Sequence, residues 1–332
     1  MAKLKLGVVG LGMAVKPHAG ALKELSDKIE LVGGWSPSAE RRAAFAQTYG
    51  LKTVDDDKAL FEGKGTDALL VLTPPWTHLD IVKRAAAAGK HVLLEKPVET
   101  TVARALEAVE AAERAKRTLA IVFQHRFRPA ALRLAEVLAA GALGKLLSIS
   151  ASVRWWRPPE YYLSAGRGTM ARDGGGVLLT QAVHTLDLLL SLVGPAASVT
   201  ALVDRSGLRA VDTEDVVAAT IRFANGASGV LDATTAAYPG YPERIEIAGT
   251  KGSAFLQVNE LTVQLMDGKR ESFGTAEGSG GGADPMAFSH AWHKAVIGDF
   301  ADAIAQGRAP RTSGRSALPA QALITALLEA GA

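Results

Sequence analysis

Short apolar runs alternate with helical patterns over the first 123 residues, and this alternation restricts the fold more than any other feature of the chain. The apolar runs of strand length are Leu4–Gly10, Ile29–Trp35, Asp67–Leu72, His91–Leu94 and Leu119–Phe123. The helical patterns between them extend to Leu25 and span Leu79–Ala88 and Thr101–Lys116. Strands that alternate with helices in this way predict a doubly wound parallel sheet, the open form of the α/β class.

Length and composition limit the remaining possibilities. A chain of 332 residues is long for a single core, so we expect two domains. Hydrophobic residues make up 48% of the chain and the mean hydropathy is +0.13, values typical of a well-packed globular protein. A formal net charge of +3 is too small to favour a nucleic-acid partner. The absence of cysteine excludes disulfides and thiolate chemistry.

We expect a cytoplasmic protein without a membrane partner. The N-terminal residues lead directly into the first apolar run, without the apolar segment and cleavage site of a signal peptide. No stretch of about 18 apolar residues lacks charges, so a transmembrane span is not predicted.

A glycine turn follows the first apolar run. Gly10-Leu11-Gly12-Met13-Ala14-Val15 leads into the first helical pattern, and a G-x-G element in this context indicates a dinucleotide site. Gly10 permits a tight turn, Gly12 allows the backbone to approach a pyrophosphate, and the helix N-terminus offers oriented N–H groups. Val15 occupies the third small position, so the fingerprint is incomplete.

The second apolar run ends without the acidic residue that NAD sites usually carry there. Ser36 and Ser38 follow it, and Arg41 and Arg42 come next. An acidic residue would accept from the ribose 2′-hydroxyl of NAD, whereas two guanidinium groups match a 2′-phosphate. The alternative is a loop and a helix start with solvated arginines. We favour the phosphate interpretation, which predicts NADP as the preferred cofactor, with NAD possible.

The fourth apolar run stops at Glu95-Lys96-Pro97. Pro97 has no amide proton, so the strand ends there and leaves a carboxylate and an amine at its carboxyl edge. In open α/β sheets, ligands bind at that edge. Lys96 is therefore a candidate proton donor or acceptor. A surface salt bridge between Lys96 and Glu95 explains the same residues equally well.

Motifs across most of the chain, in a fixed order, carry a family resemblance. The first half contains Gly10-x-Gly12 followed by His18, Thr73-Pro74 followed by His78, and Glu95-Lys96-Pro97. The second half adds Gly174-Gly175-Gly176 and then His184-x-x-Asp187. In this combination the chain resembles the glucose-fructose oxidoreductase / inositol dehydrogenase family, often called Gfo/Idh/MocA.

The resemblance implies a fold and a cofactor site. It implies an N-terminal Rossmann domain over residues 1–123. It also implies a C-terminal α+β domain over residues 124–332 with a large, mainly antiparallel open sheet, whose terminal helix can pack back on the first domain. Nicotinamide would lie over Glu95-Lys96-Pro97, often with a cis Lys–Pro bond. With the assignments above, the predicted cofactor-binding residues are Gly10, Gly12, Met13, Ala14, Ser36, Ser38, Arg41, Arg42, Thr73, Pro74, His78, Glu95, Lys96, Pro97 and Arg126.

The second half begins with a candidate substrate wall. An alternating strand pattern over Lys145–Arg154 opens onto Trp155-Trp156-Arg157-Pro158-Pro159-Glu160-Tyr161-Tyr162. Sugar C–H faces stack on aromatic rings, while arginine donates to sugar oxygens. The alternative is a proline-rich surface loop anchored by buried aromatic residues. The predicted substrate-binding residues are Lys96, Trp155, Arg157, Tyr161, Arg172, Thr180 and His184.

His184 and Asp187 lie three residues apart and therefore on one helix face. With Lys96 they are the predicted catalytic residues, and the resemblance implies that Lys96 and His184 face the substrate. Family members often place an aspartate four residues before this histidine, where this chain has Thr180. Threonine cannot carry a charge, so Asp187, Tyr161 and Tyr162 remain the alternatives for completing the site.

The rest of the chain predicts strands, turns and two final helices. The strand patterns after Val199 are Asp215–Phe223, Ser228–Thr235, Ile245–Ala248, Ser253–Gln257 and Leu261–Met266, the first two joined by an Asn-Gly turn signal. Gly274–Gly282 reads as a flexible loop, and helical patterns occur at Phe288–Ala305 and Ser316–Leu328. A sheet covered by helices on one face must bury the other, so we expect a homodimer or homotetramer, as in the family.

His290 and His293 are spaced i, i+3, a pattern that can hold a metal ion. No carboxylate stands at suitable spacing nearby and the chain has no cysteine, so we predict no metal site and favour a packing or substrate role for these histidines. The arginines Arg126, Arg154, Arg157, Arg167 and Arg172 suggest an anionic substrate such as a sugar acid, with structural ion pairs as the alternative.

The predicted reaction is hydride transfer between a nicotinamide cofactor and a hydroxyl or carbonyl carbon of a sugar, sugar acid or polyol. Free lysine has a pKa of about 10.4 and is a poor base at neutral pH, but burial beside a positive ring disfavours its charged form. Two alternatives remain on the same fold, a non-catalytic NADP-binding regulator and a glycosidase that recycles its cofactor. The presence of both Lys96 and His184 counts against the regulator.

Overall fold

The computed structural model describes residues 2–278, 280–284 and 288–331. Its contacts divide the chain into two units, which we call the first unit (Met1–Gln124 with His290–Leu318) and the second unit (His125–Ser289 with Pro319–Ala332). The segment His290–Leu318 therefore groups with the N-terminal residues. The simpler division at residues 123 and 124 stays a prediction.

A parallel sheet forms the centre of the first unit. Its strands are β1 (Leu4–Val9), β2 (Ile29–Trp35), β3 (Ala68–Val71), β4 (His91–Leu94) and β5 (Leu119–Ile121). They run in the order β2-β1-β3-β4-β5, and every neighbouring pair is parallel. All four residues of β3 are fully buried, as expected for a central strand with helices on both sides. The predicted doubly wound parallel sheet is confirmed.

Ten α-helices occur among the described residues. They are α1 (Val15–Glu24), α2 (Ala39–Tyr49), α3 (Lys58–Phe61), α4 (His78–Ala87), α5 (Val102–Arg114), α6 (Pro129–Ala139), α7 (Met170–Asp173), α8 (Val183–Val193), α9 (Ala291–Gln306) and α10 (Gly314–Ala330). A stretch of π-helix over Leu178–Ala182 leads directly into α8. In the first unit, α9 packs against α1.

An eight-stranded sheet forms the centre of the second unit. Its strands are β6 (Leu146–Arg154), β7 (Ala196–Asp204), β8 (Val216–Phe223), β9 (Ser228–Thr234), β10 (Arg244–Gly249), β11 (Gly252–Gln257), β12 (Glu260–Leu265) and β13 (Arg270–Gly274). The order is β13-β12-β11-β10-β6-β9-β8-β7. Strands β6 and β9 are parallel, and the other neighbouring pairs are antiparallel. The predicted large, mainly antiparallel sheet is confirmed.

One face of this sheet is open. Along β8 buried and exposed residues alternate, so one row of side chains enters the core and the other faces outward. Apolar side chains that project from this face without full burial are Leu202, Val230 and Phe255.

Strand β13 was not predicted, because Arg270–Gly274 carries one apolar residue, Phe273, and therefore has no visible period of two. The predicted loop Gly274–Gly282 has no helix or strand in its described part beyond the end of β13, and Ser279 within it lies outside the described residues.

One helical stretch has the length and composition of a membrane span. Met170–Val193 has a mean hydropathy of 1.6, and 83% of its most apolar window is buried inside the protein. The core helix of a globular protein meets the same criteria, so the stretch is weak evidence for a membrane partner.

Candidate cofactor and substrate site

The glycine turn after β1 has the conformation and space that a dinucleotide needs. Gly10 has φ +99°, and a Cβ there would lie 2.9 Å from the carbonyl carbon of Leu72. A Cβ on Gly12 would meet no atom within 4 Å, so the space beside it is open. The first turn of α1 carries no acidic residue that would repel a pyrophosphate. Within the first unit, the residues at this turn fit the implied cofactor.

The end of β2 brings two serines and an arginine together. Ser36 is buried, and Arg42 donates to its carbonyl oxygen at 2.7 Å. Ser38 caps α2 by accepting from the amide of Arg41. Arg42 also pairs with the exposed carboxylate of Asp55 at 3.5 Å, while the side chain of Arg41 faces outward. The serine and arginine cluster predicted from sequence therefore exists as one local structure.

His78 joins the ends of two neighbouring strands. Its Nε2 lies 2.9 Å from the carbonyl oxygen of Thr73, after β3, and its Nδ1 lies 3.0 Å from that of Pro97, after β4. The side chain is fully buried, and burial lowers its pKa. The ring lies between the two strand ends and contacts a backbone carbonyl oxygen of each. The predicted contact of His78 with cofactor stays a prediction.

The end of β4 is held by the carboxylate of Glu95. His18 Nε2, from α1, donates to Glu95 Oε1 at 2.8 Å, and the backbone amide of Lys96 donates to Oε2 at 3.0 Å. Burial works to raise the pKa of Glu95, but the His18 hydrogen bond and nearby positive charges hold it below its ordinary value. The Lys96–Pro97 bond is cis, and the Lys96 side chain is half-buried.

His293 from α9 completes a buried cluster with these groups. The His18 and His293 rings meet edge to face with centroids 4.9 Å apart, and one ligand atom from each of His18, Glu95 and His293 lies within 4.8 Å of the others. Burial and the neighbouring His18 lower the pKa of His293 to about 3. Two ligands of one tetrahedral zinc ion stand about 3.3 Å apart, wider than the His18–Glu95 contact. This spacing favours a hydrogen-bonded network of the three side chains. The absence of a metal stays a prediction.

In the second unit, the adjacent residues His125 and Arg126 contact two residues that lie one turn apart on α8. A short 3₁₀ helix over Gln124–Phe127 precedes α6. The ring of His125 stacks on that of His184, with centroids 4.9 Å apart and an interplanar angle of 29°. Arg126 Nε donates to Asp187 Oδ2 at 2.6 Å, and its Nη2 donates to Oδ1. Both oxygens of the predicted catalytic Asp187 therefore bind Arg126, a geometry that favours a positioning role for both residues.

Glu214 fixes the start of the helical stretch that carries His184. Its two carboxylate oxygens accept from the amides of Gly176 and Leu178, at 2.8 and 3.1 Å. A Cβ on Gly176 would lie 1.8 Å from the backbone oxygen of Glu214, so only glycine allows this approach. The predicted glycine-rich helix entry is thus explained by a carboxylate that the sequence did not single out.

Thr180 does not take the role of the aspartate that family members often have at this position. Its hydroxyl donates to the carbonyl oxygen of Gly176 at 2.7 Å, within its own helix, and contacts the side chain of Gln181. Gln181 in turn lies 3.5 Å from the hydroxyl of Tyr161. Of the alternatives left by the sequence, Tyr161 is the one that this hydrogen-bonded chain connects to Thr180.

The predicted substrate wall is largely packed into the protein. Trp155 is 5% exposed and Arg157 is 3% exposed, and Arg157 donates to the carbonyl oxygens of Trp156 and Gly282. This agrees with the alternative of a loop anchored by buried aromatic residues, although Arg157 Nε has no acceptor within the described protein. Tyr161 is half-buried beneath the Arg167 guanidinium, 4.3 Å from its ring centroid.

Most of the arginines behind the anionic-substrate hypothesis have protein partners. Arg126 binds Asp187 and Arg154 binds Asp232. Arg172 donates to the carbonyl oxygens of Ser164 and Ala165 and lies 3.6 Å from Asp173. These contacts explain the three residues as structural, and they weaken the arginine cluster as evidence for a sugar acid.

Sequence reasoning missed several residues that shape the site. They are His125, Arg128, Gln181, Glu214 and Glu243. Each acts through a contact between segments that are distant in sequence, which no local pattern reveals.

Two family profiles match the chain. The profile described as "Oxidoreductase family, NAD-binding Rossmann fold" matches residues 4–123, and the "GFO/IDH/MocA C-terminal domain" matches residues 131–255. The myo-inositol 2-dehydrogenase of Thermotoga maritima is 31% identical over 271 residues, covering 80% of this chain and 78% of that protein.

Solved structures with the same fold contain bound NADH. The WlbA dehydrogenase of Bordetella pertussis, solved with NADH and UDP-GlcNAcA, has a TM-score of 0.84 and 29% identity over 99% of this chain and 97% of its own. A levoglucosan dehydrogenase in complex with NADH has a TM-score of 0.88 and 25% identity, with the same coverage of both chains.

The Asp187 carboxyl should make stability depend on pH. Burial raises its pKa to about 6, against the opposing effect of Arg126, so the carboxyl keeps its proton to a higher pH in the folded state than in the unfolded chain. A raised pKa gives stability that is full below the unfolded value near 3.8 and is lost as pH rises through about 6. Between pH 4.5 and 7, the free energy of unfolding of wild type should therefore fall by about 2 kcal/mol relative to that of Asp187→Asn.

The measurement is the free energy of unfolding of both proteins from urea titrations at several pH values. The control is Asp55→Asn, which removes a fully exposed carboxylate and should leave the pH dependence unchanged. A constant difference between wild type and Asp187→Asn over this range would show that the pKa of Asp187 is not raised.

Proposed function

This chain belongs to the Gfo/Idh/MocA family of oxidoreductases, and from that membership and its site we propose that it is a dehydrogenase acting on the CH–OH groups of carbohydrates. Its established class is an NAD-binding oxidoreductase of the sugar and polyol dehydrogenase type. The proposed substrate is a sugar, sugar acid or polyol, since inositol is named for one relative and a sugar-nucleotide acid for one structural neighbour.

The observation that carries the proposal is the end of β4. There the lysine of Glu95-Lys96-Pro97 is half-buried, at the carboxyl edge of the same sheet whose first strand ends in the open glycine turn. In open parallel sheets, this edge is where ligands bind. A nicotinamide cofactor, when bound, supplies or accepts the hydride. Gly10, Gly12 and the start of α1 would hold its pyrophosphate through backbone N–H groups.

Lys96 is the proposed proton donor and acceptor. In the direction of oxidation, its neutral amine takes the proton from the substrate hydroxyl at Nζ, and in the direction of reduction its ammonium returns it. His18 and Glu95 keep the end of β4, and with it the backbone of Lys96, in one position. His184 is proposed to orient a substrate hydroxyl or to share the proton, and Asp187, one helical turn further on, binds Arg126.

We propose NADP as the preferred cofactor. The residues directly after β2, Ser36 to Ser38, include no carboxylate to accept from a ribose 2′-hydroxyl. Arg42 is anchored there on the carbonyl oxygen of Ser36, and its other partner is the exposed carboxylate of Asp55. The exposed guanidinium of Arg41 and the hydroxyls of Ser36 and Ser38 add donors suited to a phosphate. The named cofactor of the structural neighbours is NADH, so this preference distinguishes the chain from them.

The open face of the eight-stranded sheet is the proposed contact between copies of the chain. It exposes Val230 and Phe255, and an open sheet face with apolar side chains is buried by association. We propose a homodimer or homotetramer built through this face, in the cytoplasm, with a domain boundary near residues 123 and 124.

Replacing Lys96 should abolish turnover without abolishing cofactor binding. In Lys96→Met, kcat should fall by about 10²–10⁴-fold, because the proton has no acceptor, while the dissociation constant for NADPH stays nearly unchanged. Absorbance at 340 nm follows the reaction over a panel of sugars, sugar acids and polyols. Lys83→Met, on an exposed lysine paired with Glu107, is the control. Near-normal turnover by Lys96→Met would refute the assignment, and no turnover of any compound by wild type would favour a non-catalytic NADP-binding protein.

Removing Arg41 should change the choice of cofactor. Wild type should have the higher kcat/KM with NADP⁺. Arg41→Ala should lower that value by about tenfold or more, the loss of one charge-assisted hydrogen bond, and leave kcat/KM for NAD⁺ nearly unchanged. Arg114→Ala, an exposed arginine on α5, serves as control. A wild-type preference for NAD⁺ would contradict the proposal.

A charge on the open sheet face should separate the copies. Val230→Arg should lower the mass measured by size-exclusion chromatography with light scattering, to that of one chain if the wild type is a dimer and to at most that of two chains if it is a tetramer, because a guanidinium would be buried without a partner. Leu163→Arg, on an exposed leucine outside the sheet, should leave the mass unchanged. A monomeric wild type, or a Val230→Arg variant of unchanged mass, would show that another surface is used.

A further inference from the structure

His125 is a buried imidazole that the proposed reaction does not use. It is 3% exposed and lies in the 3₁₀ helix that opens the second unit. Its ring is stacked on that of His184, with an interplanar angle of 29° and centroids 4.9 Å apart. Face-to-face packing of two flat rings restricts rotation of the partner ring about its side-chain bonds.

Arg128 sets the protonation of His125. It donates a guanidinium N–H to His125 Nε2 at 2.7 Å, and a guanidinium has no acceptor atom. His125 Nε2 must therefore accept, so the ring is neutral and carries its proton on Nδ1. Arg128 is itself held by Glu243 at 2.6 Å, and both side chains are almost completely buried.

The same short helix fixes the next turn of α8. Arg126 binds both oxygens of Asp187, three residues after His184. Two neighbouring residues, His125 and Arg126, thus hold two residues that lie one above the other on α8. His184 is only the second residue of the regular helix α8 and directly follows a π-helical stretch. The contacts from His125 and Arg126 therefore support the position of His184 at the start of α8.

We propose that His125 is a positioning residue for His184, acting through the face of its ring. This rests on the proposed function of His184 at the substrate. The stacked ring holds the His184 imidazole in the one orientation that points its nitrogen at the substrate hydroxyl, in a chain whose residue 180 carries no carboxylate to do so. Arg128 and Glu243 hold the supporting ring in place.

Two substitutions at residue 125 separate the ring face from the nitrogen. His125→Phe keeps a flat ring but loses the acceptor for Arg128. His125→Gln keeps an acceptor but loses the ring. The first readout is the set of ring signals of His184 in protein labelled with ¹⁵N-histidine, assigned by their loss in His184→Asn. Wild type and His125→Phe should show one sharp set, whereas His125→Gln should show broadened or multiple signals.

The second readout is turnover with the fastest substrate among glucose, glucuronate and myo-inositol. Here His125→Gln should lower kcat by about tenfold to a hundredfold, the effect of a misplaced catalytic group, with KM for NADP⁺ unchanged. His125→Phe should restore kcat to within about threefold of wild type. His91→Gln, at a half-buried histidine of β4 that accepts from the Thr118 amide, is the control.

The outcomes distinguish this inference from the proposed function. If His184→Asn lowers kcat but His125→Gln leaves both kcat and the His184 signals unchanged, the positioning role is wrong and the function stands. If His125→Phe is as slow as His125→Gln, the hydrogen bond to Arg128 matters rather than the ring face, and the inference is overturned. If His184→Asn itself turns over normally while His125→Gln still disorders the ring, the ring contact is real and the function of His184 is wrong.

Discussion

The hydrogen bond between His18 and Glu95 joins the two parts of the first unit that a cofactor needs. His18 lies on α1, whose start follows the open glycine turn, and Glu95 lies at the end of β4, next to Lys96. A carboxylate buried without a partner would be strongly destabilised, so the pair fixes the helix and the strand end together. The amide of Lys96 uses the second oxygen of the same carboxylate. The backbone that presents the lysine is therefore set by one buried hydrogen-bonded pair.

In the second unit, buried polar contacts likewise fix the predicted site residues. The short helix that contains His125 and Arg126 contacts His184 and Asp187. Glu214 accepts from two backbone amides at the start of the helical stretch that carries them. Buried polar groups of this kind are specific because each needs its partner in one geometry. Functional side chains on rigid helices and strand ends can therefore be placed with little freedom.

Much of the fold could be predicted because its signals are local and periodic. Strand β2 was predicted with its observed bounds, and the parallel sheet follows from apolar runs that are buried on both faces. Helix α2 buries only Phe45 and strand β13 carries only one apolar residue, so neither has a period that a sequence can show. For such elements, the neighbouring strand or helix decides the conformation rather than the segment itself.

The site residues also fall into a group that local sequence reveals and a group that it does not. Glu95, Lys96 and the glycine turn were found because they lie together in sequence at a strand end. The link from Arg126 to Asp187 spans 61 positions, and the link from Gly176 to Glu214 spans 38, so neither could be inferred from spacing. The sequence shows that residue 180 is threonine, but it does not show where the hydroxyl bonds. In the structure this hydroxyl donates to a carbonyl oxygen within its own helix.

The central proposal is that Lys96 and His184 both serve the same chemical step. A double-mutant cycle on kcat, with Lys96→Met, His184→Asn and the double variant, tests it most directly. Residues that act together are strongly non-additive, so we expect the double variant to be about as slow as the slower single variant. If the two losses multiply instead, the two side chains act independently, and the proposed joint role is wrong.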